Sequence, residues 1–154
     1  MTLASILPAE HVLGLLPAAG KAELLSAMCR AGCARIGLDA TDAARAVLGR
    51  EDLGSTGIGG GIGLPHARVT GLKVPVGFFA RLERPIEFAA IDGLKVDLVF
   101  LLLSPAEGAA AHLGALALIA RRLRQPPVCG ALRKASDPMV LWSILTDCGA
   151  GAGG

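Results

Sequence analysis

Val96-Asp-Leu-Val-Phe-Leu-Leu-Leu103 is the stretch from which the fold is read. Only Asp97 interrupts its apolar run. Both alternating sets of side chains are therefore greasy, which marks a strand buried on its two faces rather than one with a wet side. Its apolar heart, Leu98 to Leu103, is a strand's length and far short of the ~20 residues needed to cross a bilayer.

Working outward, Val74-Pro-Val-Gly-Phe-Phe-Ala-Arg-Leu82 reads as a second strand, and Ile86-Glu-Phe-Ala as a weaker edge strand. Between it and the buried strand, Ala90-Ile-Asp-Gly-Leu94 carries an Asp-Gly turn signal. Past Ser104-Pro105 the period becomes helical, with His112, Leu116, Ile119 and Leu123 on one face. Shorter helices are expected near 128–133 and 138–145. Before the strands, Lys21 to Ile36 places Leu24 and Met28 on one stripe. A further helix, capped by Asp39 or Thr41, runs through Ala43, Val47 and Leu48 and stops before Gly54. A short amphipathic helix starting near Pro8 would carry His11, to which no function is assigned. The sum is an α/β fold, one domain over 1–148 with a central mixed sheet covered by helices, and a flexible Gly/Ala tail over 149–154.

Composition narrows the function. Charged residues make up 18%, below the roughly 25% common in soluble domains, but alanine and glycine supply much of the apolar count. A net charge of +2 without like-charge blocks gives no reason to expect nucleic acid or an anionic membrane as partner. With four Phe, one Trp and no Tyr, there is little on which bases could stack. No secretory leader is legible, and Cys29, Cys33, Cys129 and Cys148 form no Cys-x-x-Cys pair. Reduced, buried thiols in a cytoplasmic protein are expected, with no metal and no cofactor.

The chemistry concentrates in Gly54-Ser-Thr-Gly-Ile-Gly-Gly-Gly-Ile-Gly-Leu-Pro-His-Ala-Arg-Val69. Glycines let a backbone turn sharply or approach another group closely, and successive bare amides can cradle an anion. A dinucleotide loop is excluded by spacing, since G-x-G-x-x-G needs glycine where Ile62 or Leu64 stands. A Walker loop is excluded because Gly20-Lys21 is followed by Ala22. Two readings stay open: a plain glycine-rich turn with an incidental histidine, or a stiff ledge presenting His66. Pro65 stiffens the peptide before His66, whose imidazole offers a neutral nucleophilic nitrogen near pH 7.

Arg50-Glu-Asp-Leu-Gly-Ser-Thr-Gly-Ile-Gly-Gly-Gly-Ile-Gly-Leu-Pro-His-Ala-Arg68 resembles the signature of enzyme IIA proteins of the mannitol/fructose class. These belong to the bacterial phosphoenolpyruvate-dependent phosphotransferase system, and the resemblance is greatest to its nitrogen-regulatory branch. It continues through Arg84-Pro-Ile-Glu-Phe88, the buried strand with Ser104-Pro105, and His112-Leu113, covering about 5–146. Gly60 stands for the usual Asn, Gly63 for Ala, Ser104 for Ala and Glu87 for Asp. The two extra glycines suggest a looser loop.

The resemblance implies that His66 takes a phosphoryl group from the phosphohistidine of an HPr-like carrier, with His112 supporting. Arg50 would orient the ring or neutralise phosphoryl oxygens. Amides of Gly59, Gly60, Gly61 and Gly63 would cradle the phosphoryl group. The chain would then be a phosphotransferase component acting as a regulator, binding targets such as potassium-transport or sensor-kinase proteins, as a monomer or weak dimer. The alternatives are a sugar-transport enzyme IIA feeding an enzyme IIB, and a binding module that is never phosphorylated. The absence of a fused IIB, IIC or HPr-like segment favours the regulator.

Overall fold

The computed structural model describes residues 1–147, so Cys148 and the expected 149–154 tail lie outside the described residues. The elements run α1 (Leu3–Ile6), a 3-10 turn (Ala9–His11), β1 (Val12–Leu16), α2 (Lys21–Ile36) and α3 (Ala40–Leu53). Then come β2 (Gly57–Gly59), β3 (Ile62–Gly63), β4 (His66–Val69), β5 (Val76–Ile86), β6 (Val96–Pro105), α4 (Ala109–Leu123), α5 (Pro126–Lys134) and α6 (Pro138–Thr146).

β6 is the centre of the sheet. β5 lies antiparallel on one side, with β1 parallel beyond it. On the other side β3 and then β4 run parallel to β6, and β2 closes antiparallel on β3. The sheet is mixed, as expected. On one face, Leu24, Met28 and Cys29 of α2 and Ala43 and Val47 of α3 pack on Phe78, Ala80, Leu101 and Leu103. On the other, Ala115, Ile119 and Leu123 of α4, Leu132 of α5 and Leu141 and Leu145 of α6 pack on Phe79, Leu98, Phe100 and Leu102. β6 is dry on both faces, as its composition requires, and each Leu or Phe so buried is worth about 1.5–3 kcal/mol.

One irregularity in β6 matters. The amides of Asp97 and Leu98 both donate to the Gly61 carbonyl, at 3.0 and 3.1 Å. The two amides share one acceptor, and the alternation of the strand breaks there, with Val96 packed on the α2 and α3 face and Leu98 on the α4 face. Asp97 can then reach Arg133 of α5 while Leu98 stays in the core on that same face.

The N-terminus differs from the expectation. The helix anticipated from Pro8 is one 3-10 turn that leads into β1. Gly14, at φ +80°, hides a short strand that joins the sheet through β5. His11 is 6% exposed, stacks on Phe78 and donates from Nδ1 to the Gly77 carbonyl at 3.0 Å, a packing role. Ile86 ends β5, so the expected separate edge strand over 86–89 does not form. Asp39 is the cap of α3, accepting from the Thr41 and Asp42 amides at 2.8 and 3.1 Å. Cys29, Cys33 and Cys129 are buried free thiols, and burial pushes the Cys29 thiol up to about 12.

Candidate functional site

His66 opens β4, opposite Leu102 of β6. The segment from Ile62 to Val69 runs along β6 in one register, interrupted only at Leu64-Pro65. Proline has no N–H to give, but its carbonyl still accepts from Leu102 at 3.0 Å, so the ladder bridges the gap. Ile62 and Leu64 face the α4 side, whereas Ala67 and Val69 face α2 and α3. Period-two alternation therefore places His66 on the α4 side.

The His66 ring is half-buried, and its Nδ1 lies 2.8 Å from the Leu64 carbonyl. A carbonyl only accepts, so Nδ1 carries the proton and Nε2 keeps its lone pair. Burial lowers the His66 pKa; the Leu64 bond opposes this and Arg50 adds to it. The ring is accordingly held neutral, with one defined nucleophilic nitrogen, at physiological pH.

His112, in the first turn of α4, brings its ring to 5.4 Å from that of His66, centre to centre and tilted by 53°. Its Nδ1 meets the Ser104 hydroxyl at 2.7 Å, and burial, followed by the proximity of His66 and Arg68, lowers its pKa. Arg50, in the last turn of α3, donates to the Gly54 carbonyl at 2.8 Å. It shares with His66 an open cleft of about 350 Å³, also lined by Ser55, Thr56, Ile58, Leu64, Leu116, Ala117 and Ala120. The structure thus brings His66, His112 and Arg50 together.

It does not bring the four glycines into that cleft. Gly59 ends β2, and Gly60 and Gly61 form the turn into β3, with φ of +98°, +67° and +81°, a left-handed run that β-carbons would strain. The Gly60 amide is already taken by Asp92 Oδ2 at 2.9 Å, and the Gly60 carbonyl by Arg133 Nη2 at 2.6 Å. Gly63 lies under the Phe88 ring, where a β-carbon would sit 3.0 Å from Cζ. These glycines serve the turn and its close packing. The loop is also tied rather than loose, because Arg133 grips Asp97 through Nε and Nη2 at 3.0 and 2.9 Å.

A second group was not read from the sequence. The side chain of Glu51 is 4% exposed, pairs with Lys21 Nζ at 2.9 Å and accepts from the Thr56 hydroxyl. Lys21 also donates to the Phe88 carbonyl at 3.0 Å, as Ser55 does at 2.6 Å. This network holds Ser55 and Thr56 at the cleft wall. The Arg50-Glu51 pair in the motif was the available signal: a carboxylate one residue from a site arginine, pointing inward.

Residues 5–148 match the model of the phosphoenolpyruvate-dependent sugar phosphotransferase system EIIA 2 family, and the chain belongs to it. It resembles the nitrogen-regulatory branch. A nitrogen regulatory protein of Bradyrhizobium diazoefficiens is 37% identical over 145 residues, covering 94% of this chain and 95% of that one. The crystal structure of the nitrogen regulatory protein IIA-Ntr from Neisseria meningitidis superposes with a TM-score of 0.87 at 32% identity, covering 94% of this chain and 99% of that one. The mannitol IIA of Escherichia coli shares the fold, with a TM-score of 0.69 at 20% identity, covering 92% and 96%.

Among the described residues no helix is long and apolar enough to cross a membrane, and no group of three or more His, Cys, Asp or Glu is placed to hold a metal ion.

Proposed function

We propose that His66 accepts a phosphoryl group on Nε2 from the phosphohistidine of an HPr-like carrier. The phosphorus–nitrogen bond of the donor breaks as the new bond to Nε2 forms, and the carrier's imidazole recovers the electron pair. The observation that carries this reading is the 2.8 Å bond from His66 Nδ1 to the Leu64 carbonyl, which leaves Nε2 as the free base beside His112 and Arg50. Such transfer depends on positioning and charge stabilisation. Arg50 and His112 are the groups placed to meet the phosphoryl oxygens, and no metal or cofactor takes part.

The added negative charge then changes which proteins bind, making the chain a cytoplasmic regulator of targets such as potassium-transport or sensor-kinase proteins. Likeness to nitrogen regulatory proteins over nearly the whole chain supports this. The family's sugar-transport name supports the second reading, in which phosphate passes to an enzyme IIB.

Incubation with phosphoenolpyruvate, enzyme I and an HPr-like carrier is expected to give an acid-labile adduct on wild type and none on His66→Ala. His112→Ala is expected to react more slowly with its fold intact. An unmodified wild type would mean a binding module that is never phosphorylated.

A further inference from the structure

Ser104 is fully buried on β6, two residues beyond Leu102, the partner of His66. Among the described residues the one hydrogen-bond partner of its Oγ is His112 Nδ1, at 2.7 Å. A hydroxyl can accept or donate, and so can a neutral imidazole nitrogen, so the distance alone allows two arrangements.

Proton bookkeeping separates them. Were Nδ1–H to donate to Oγ, the Ser104 proton would be a buried donor with no acceptor, which native interiors avoid. With the hydroxyl donating to Nδ1, the Ser104 proton has an acceptor and Nδ1 has a donor. The ring's proton is then on Nε2.

We propose that Ser104 is a positioning residue that holds His112 in the Nε2–H form, making it a hydrogen-bond donor beside the nucleophilic nitrogen of His66. This inference rests on the phosphoryl-acceptor reading above for its consequence, but not for the tautomer itself. The two rings then have opposite roles imposed by what each Nδ1 touches. Leu64 is an acceptor, so His66 must present a lone pair; Ser104 is a donor, so His112 must present a proton. His112 cannot compete for phosphorus in this form, because its Nε2 has no free pair, and it can donate to a phosphoryl oxygen as negative charge builds there.

Long-range proton–nitrogen imidazole spectra at neutral pH test the tautomer. Wild-type His112 is expected to show a protonated Nε2 and an unprotonated, hydrogen-bonded Nδ1, and Ser104→Ala to shift the Nδ1 resonance and mix the tautomers. A protonated Nδ1 in wild type, or a His112 spectrum unchanged in Ser104→Ala, overturns the assignment.

The rate of phosphorylation by the carrier tests the consequence. Ser104→Ala is expected to slow it by about three- to tenfold with the melting temperature nearly kept, and to add nothing in a His112→Ala background. Equal slowing in both backgrounds would mean that Ser104 acts on the fold and not through His112. An unchanged rate despite a shifted tautomer would overturn the positioning role. Failure of wild type to take any phosphoryl group would remove the transfer reading, while the nitrogen spectrum would still decide the tautomer.

Discussion

His66 Nδ1 lies 2.8 Å from the carbonyl oxygen of Leu64, two residues earlier in the chain. Pro65, between them, fixes the backbone so that the ring folds back onto its own strand. The proposed acceptor nitrogen thus follows from local geometry. The adduct is expected on Nε2, read as phosphorus–nitrogen coupling to that atom alone. Coupling to Nδ1 would mean that the Leu64 bond opens before reaction.

The β2–β3 turn is expected to be intolerant of side chains. A β-carbon at Gly61 would sit 2.9 Å from Asp97 Oδ1 and press on Arg133, on a backbone at φ +81°. Gly61→Ala should lower stability by about 2–3 kcal/mol, seen as a lower urea midpoint with unchanged slope. Gly49→Ala, in an open stretch of α3 with nothing within 4 Å of the new carbon, should instead raise stability by about 0.5–1 kcal/mol. A similar loss in both variants would contradict the turn's geometry.

Glu51 should matter more than its surface-facing neighbours. Its removal takes the ion-pair partner from the quarter-exposed Lys21 ammonium, which keeps only the Phe88 carbonyl, and leaves the buried Thr56 hydroxyl without its acceptor. Glu51→Ala is expected to cost about 3 kcal/mol in chemical denaturation. It should also slow phosphorylation by loosening Ser55 and Thr56 at the cleft wall. Asp52→Ala, at an exposed position next to it, should stay within about 0.5 kcal/mol of wild type.

Acid should weaken the fold through its histidines. Burial lowers the pKa of His11, and it likewise lowers those of His66 and His112. A histidine with a lowered folded pKa binds its proton more readily when unfolded. Its contribution is therefore whole above the unfolded value of about 6.5 and is lost as pH falls through the folded value. Each histidine can add at most about 1.4 kcal/mol per pH unit to that decline. His11→Gln should make the fall in urea midpoint between pH 7 and pH 5 shallower. An unchanged slope would mean that His11 is not buried neutral.

The parts of this molecule written in local pattern were legible, and those written in long-range contact were not. β6 was legible because its apolar run excludes water from both faces, and α4 because Ile119 and Leu123 keep a helical period. β1 was missed because Gly14 breaks a five-residue strand that exists only through its ladder with β5. That His66, His112 and Arg50 should lie together came from the family resemblance and not from spacing, and the structure places them side by side. The glycines were misread because a run of bare amides looks the same whether it faces a ligand or a neighbouring arginine. Arg133, Asp92 and Asp97 meet that turn from distant segments, and no spacing rule announces such a meeting.

The partners Ile62↔Leu98 and Val69↔Pro105 keep one offset along β6, across the proline that separates β3 from β4. That makes the segment intolerant of length change. Losing or gaining one residue between Ile62 and His66 would swing the imidazole through the sheet, from the side where His112 waits to the side filled by α3. Insertions and deletions among descendants of this gene should therefore collect at 70–75 and 89–95, and spare the four residues that precede the histidine.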